Sequence, residues 1–101
     1  MGQIKDLQGR AWQNKVSRDF NTTNVEREFN YTYAELAEAY EAYRKNKGDV
    51  GEELADTVIF LLGLAEMLEV NLEEKILAKM AFNEQREYEA DNGHHIKKES
   101  K

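Results

Sequence analysis

None of the 101 residues is proline. Nothing in the chain therefore removes a backbone donor or drives a ring into the preceding turn, and helices can run without interruption. The apolar spacing reads the same way. Over residues 3–19, Ile4, Leu7, Ala11, Trp12 and Val16 fall on one helical face. A second helix, over about 24–46, carries Val25, Phe29, Leu36, Tyr40 and Tyr43 as a stripe expected to face a core. Thr23 with Glu26 forms a capping-box pattern at its start, and Thr32 with Glu35 leaves a later start near Tyr33 open. Lys47–Gly51 is a stop and turn. A third helix over 50–68 is apolar almost all round from Val58 to Leu68, the mark of a central, buried helix. A fourth, over 71–90, has Asn71 as N-cap and Glu73 and Glu74 in its first turn. The expectation is an all-α, compact four-helix bundle forming one domain over 1–90, followed by a polar, flexible tail over 91–101. A chain of this size buries only about 60–65% of its unfolded surface, so completion by self-association is expected as well.

Composition narrows the function classes. A net charge of −6 argues against binding nucleic acid through its phosphates. The absence of cysteine excludes disulfides, thiol nucleophiles and thiolate-bound zinc, and fits a cytoplasmic protein. No apolar run reaches the roughly 18 residues of a membrane span, and residues 1–20 show no apolar signal segment, so neither membrane association nor secretion is expected.

The chemistry lies in two acidic pairs. Glu35 and Glu38 are three apart, as are Glu53 and Asp56, and residues three apart share a helical face. Glu53, Asp56, Phe60 and Gly63 share one face of the most apolar helix, which would carry Asp56 towards the interior. Unpaired buried carboxylates cost several kcal/mol each, and clustered ones also repel, so protons or divalent cations must neutralise them. A donor set made only of oxygen suits Mg²⁺ or Mn²⁺ rather than zinc. A di-iron site of the ferritin type would need Glu-x-x-His, and the only histidines are His94 and His95 in the tail. The competing reading is a solvated acidic face, or a structural metal, on a non-enzymatic helical oligomerisation or interaction module.

The run Glu35-x-x-Glu38, fourteen further residues, then Glu53-x-x-Asp56 resembles the metal-binding signature of the MazG-like nucleoside triphosphate pyrophosphohydrolases. The stretch EELADTVIFLLGLAEMLEVNLEEKILAKMAFNEQR is similar to their third and fourth helices. The likeness covers residues 33–86 well and the first helix loosely; it departs at Ala34, where relatives often carry a further Glu. It implies Mg²⁺-dependent hydrolysis (Mn²⁺ as alternative) of an NTP or dNTP to the monophosphate and pyrophosphate, a housecleaning role in the nucleotide pool, and a homodimer or homotetramer. It further implies metal ligation by Glu35, Glu38, Glu53 and Asp56, with Glu38 as the catalytic base. Lys79, Asn83 and Arg86, spaced along one face, would bind phosphate, whereas periodicity alone reads them as a solvated basic stripe. Trp12, Lys15 and Asn21, with Phe20, would meet the base or sugar; a lone Trp in an apolar stripe is read equally well as core.

Overall fold

The computed structural model describes residues 2–86, 88–91 and 94–97. Four helices follow in order: α1 (Gln3–Ser17), α2 (Val25–Lys45), α3 (Val50–Met67) and α4 (Leu72–Gln85). A short antiparallel hairpin, β1 (Tyr88–Asp91) with β2 (His94–Lys97), ends the described chain. Of the segment expected as a flexible tail, residues 91 and 94–97 belong to this hairpin instead, and 92, 93 and 98–101 lie outside the described residues.

Local chemistry sets the helix ends. Asn24, rather than the Thr23–Glu26 pair, caps α2, its side chain accepting from the Arg27 N–H. Asn46 closes α2 in the left-handed region (φ 50°), a conformation Asn tolerates better than most residues. Gly48 follows at φ 77°, where a Cβ would be strained, and Asp49 then caps α3 by accepting from Glu52 N–H. These few residues fold α3 back along α2. Asn71 caps α4 as expected, but α4 ends at Gln85, and Arg86 is already extended (φ −69°, ψ 142°).

Helix α3 is the hub. Helix α2 packs along one side of it, α1 along another, and α4 lies on α1. Gln8 ties the far corner together: its amide donates to Glu66 Oε1 (2.9 Å) and Val70 O (2.8 Å), and its oxygen accepts from Leu72 N–H (3.2 Å). The Lys5 N–H donates to Glu73 Oε1 at 2.7 Å, holding the start of α4 to α1.

The bundle is more open than the sequence suggests. Among the described residues the buried apolar set is only Ala39, Leu62, Leu64 and Ala65. The α2 stripe expected to face the core points outward instead: Phe29, Leu36, Tyr40 and Tyr43 are all exposed, Tyr43 at 70%. The face of α2 that meets α3 carries Glu28, Thr32, Glu35 and Ala39, each buried or half-buried. Thr32 and Thr57 are tolerated inside because each hydroxyl donates to the carbonyl four residues earlier, Glu28 O and Glu53 O. Nor is α3 apolar-buried all round, since Leu54, Val58, Ile59, Leu61 and Leu68 remain exposed. Hydrophobic periodicity identified the faces that avoid water, but a single chain covers only some of them.

Candidate functional site

The turn between α2 and α3 brings the first acidic pair against the second. Carboxylate oxygens of Glu35, Glu38 and Glu53 lie within 4.8 Å of one another. Glu35 and Glu53 are half-buried in the α2–α3 seam, and Glu38 is exposed at its edge. Loss of hydration, then the charges of Glu38, Asp56 and Glu53, raise the Glu35 carboxyl above its ordinary pKa. Loss of hydration, then Glu38 and Asp56, do the same to Glu53. Glu53 Oε1 is shielded from solvent and has no hydrogen-bond partner among the described residues. Its near neighbour is the Glu38 carboxylate, and two ionised carboxylates have no hydrogen to share. As ionised groups, the two carboxylates therefore leave this oxygen without a donor.

Asp56 departs from expectation. It is exposed rather than carried to the interior, and it acts on the cluster through its charge rather than within the close triad. On α3 it lies beyond the seam, whereas Glu53, one turn earlier, faces it. The buried, unmatched oxygen therefore belongs to Glu53.

One turn from the acids along both helices (Tyr31 before Glu35, Phe60 after Asp56) opens a cavity of about 620 Å³. Lys15, Phe20, Asn21, Glu28, Tyr31 and Phe60 line it, the last two rings meeting edge to face at 6.1 Å. Glu28 sits at its base, 1% exposed. Lys15 Nζ donates to Glu28 Oε2 at 2.7 Å and Asn21 Nδ2 to Glu28 Oε1 at 2.9 Å. Gly63 of α3 makes room for this: a Cβ there would lie 3.0 Å from Lys15 Cδ. The sequence thus anticipates Lys15, Phe20 and Asn21 as neighbours. Trp12 does not join them; it is half-buried on α1 and lines no part of this cavity. The spacing puts Phe60 on the Glu53 and Asp56 face without marking it as a cavity wall, and it does not announce Glu28 or Tyr31. Glu28 was legible only as the start of the 28, 32, 35, 39 helical spacing, which reads as an inward face once its polar members are allowed inside.

Helix α4 does not pack on the acidic cluster, since its partner is α1. Lys79 Nζ and the Arg86 guanidinium both stand over the Phe82 ring, at 5.0 and 4.9 Å from its centroid. Arg86 Nη1 also donates to Asn83 Oδ1 at 3.3 Å, while Arg86 Nε is buried without a partner among the described residues. Lys79, Asn83 and Arg86 do form a local group, as their spacing predicts, but it is set around Phe82 rather than opposite the acids.

Comparison with family models, with curated proteins and with solved structures finds no match.

Proposed function

We propose that this chain is a divalent-metal-dependent nucleoside triphosphate pyrophosphohydrolase, hydrolysing NTP or dNTP to the monophosphate and pyrophosphate as nucleotide-pool housecleaning. The sequence resemblance to the MazG-like enzymes supplies the reaction. The observation that carries the metal requirement is the unmatched Glu53 oxygen within a triad of carboxylates under 4.8 Å apart. The all-oxygen donor set fits a hard cation, Mg²⁺ or Mn²⁺, held by Glu35, Glu38 and Glu53 with Asp56 adding charge from outside. Bound there, such a cation would screen triphosphate oxygens from the acids and acidify a water. Glu38, the exposed member, would accept that water's proton. The cavity one turn away would hold the nucleoside. Lys79, Asn83 and Arg86 would serve the phosphates only from a second copy or after α4 moves, because α4 packs on α1 in the single chain.

A homo-oligomer belongs to this reading. The outward α2 stripe and the uncovered residues of α3 are the surface a second copy would bury. The same stripes favour the rival reading of a non-enzymatic oligomerisation module, so the assay must be chemical. Incubation with Mg²⁺ and a panel of nucleoside triphosphates should release pyrophosphate. Release of orthophosphate, or of nothing, would sink the proposal, as would Mg²⁺ binding by calorimetry that is equal in the wild type and in Glu53→Gln.

A further inference from the structure

We propose that the α1–α2–α3 cavity selects a nucleobase by its carbonyl edge, favouring 6-oxo purines and uracil-type pyrimidines over their amino counterparts, with Lys15 as the specificity-determining residue. The site assignment rests on the pyrophosphohydrolase reading; the selectivity rests on which polar groups in the cavity are already engaged.

Asn21 has no donor left for a base. Its Nδ2 donates to Asn24 O (2.8 Å) and Glu28 Oε1 (2.9 Å), which takes both amide hydrogens, and its Oδ1 accepts from Asn24 N–H (3.0 Å), which takes one of its two lone pairs. It is a positioning residue for Glu28. Glu28 is itself almost fully enclosed, with each oxygen already accepting a hydrogen bond. Lys15 differs. Its ammonium has three hydrogens and makes one hydrogen bond among the described residues, to Glu28 Oε2. It is 7% exposed and lines the cavity, so its remaining hydrogens are donors in a largely dehydrated place.

The charge balance points the same way. The Lys15 ammonium is neutralised by Glu28 at 2.7 Å, so the inner end of the cavity favours a neutral polar ligand over another phosphate. Phe20, Tyr31 and Phe60 supply apolar faces for a flat ring. Asp19 and Arg27 also border the cavity but are exposed, where water weakens discrimination. A base that turns a carbonyl oxygen inward therefore meets a donor. One that turns an amino group towards Lys15 sets donor against donor there, and the lone pairs Glu28 has left are harder to reach, since Glu28 is 1% exposed against 7% for Lys15.

Free nucleosides test this without any hydrolysis. Titration of the wild type with uridine against cytidine, and inosine against adenosine, followed by NMR shifts of the Tyr31 and Phe60 rings, should show tighter binding of uridine and inosine by roughly 10- to 100-fold. A Lys15→Met, Glu28→Leu double variant removes both charges together and should bind the members of each pair equally. Equal affinities in the wild type, ring shifts with none of the four, or undiminished discrimination in the folded double variant would each overturn the proposal. Should the double variant not fold, the wild-type comparison decides by itself. Pyrophosphate release from UTP and CTP separates the two ideas. Selective nucleoside binding without cleavage of either keeps the carbonyl-edge inference and removes the reaction; equal cleavage with equal binding does the reverse.

Discussion

Two glutamates in the α2–α3 seam show how differently the same side chain can be used. Glu28 is the more buried, yet both its oxygens accept a hydrogen bond, one of them from a cation at 2.7 Å. Glu53 is less buried, but one oxygen is sealed from water beside other carboxylates and has no partner among the described residues. Burial alone thus does not mark a site. The mark is an oxygen whose partner the fold does not provide. Glu28 holds α1 to the α2–α3 hairpin, whereas the fold gives the Glu53 oxygen no such partner among the described residues.

The contrast breaks most sharply at Lys15. Lys15→Ala leaves Glu28 enclosed and unpaired, and should cost about 3–5 kcal/mol of folding stability. Denaturant unfolding checks this, and the loss should be the same with and without Mg²⁺. Gly63→Ala attacks the same pair from α3, by placing a methyl 3.0 Å from Lys15 Cδ and 3.4 Å from Cε. Lys15 is flexible enough to yield in part, so about 1–3 kcal/mol is expected in the same measurement.

On the acidic side the signs reverse. Glu53→Gln should leave the metal-free protein as stable as the wild type or more so, and abolish both Mg²⁺ protection in a thermal melt and turnover. A Glu53→Gln protein that Mg²⁺ still protects would dissolve the contrast between the two glutamates. The pH dependence sharpens it further. Folding raises the pKa of Glu35 and Glu53, so the native chain binds more protons than the unfolded one. In the presence of a chelator their contribution is therefore neutral well below the ordinary value of 4.5 and turns unfavourable as pH rises past it, up through the raised values. A melting-temperature series against pH should show that decline with chelator present, reduced by Mg²⁺ and weaker in Glu53→Gln.

Much of this was written in the sequence at the level of helices. The lack of proline, the Asn71 cap and the break at 47–51 locate the four helices to within a few residues, apart from the early end of α4. The triad of Glu35, Glu38 and Glu53 was legible because spacing of three on two adjacent antiparallel helices leaves little choice of neighbour. The facing of α2 was not. Apolar side chains declare that they avoid water, not whose interior they enter, and Leu36, Tyr40 and Tyr43 lie outside the interior of their own chain. The exposure of Asp56 follows from the same ambiguity, since a helix apolar on most faces does not say which one turns inward. The docking of α4 on α1 depends on Gln8, a polar residue whose three partners no periodicity could announce.

Gln8 also bears on the order in which the chain acquires its shape. Its partners lie 58 to 64 residues away, whereas α2 and α3 are joined by a turn of four residues between Lys45 and Val50. Closing the short loop costs far less entropy, so the α2–α3 hairpin forms first and the Gln8 contacts close late. During synthesis α1 emerges first but cannot complete its docking until Leu72 has left the ribosome. Gln8→Ala should accordingly hasten unfolding while leaving the refolding rate nearly unchanged, which stopped-flow kinetics would record as a φ-value near zero.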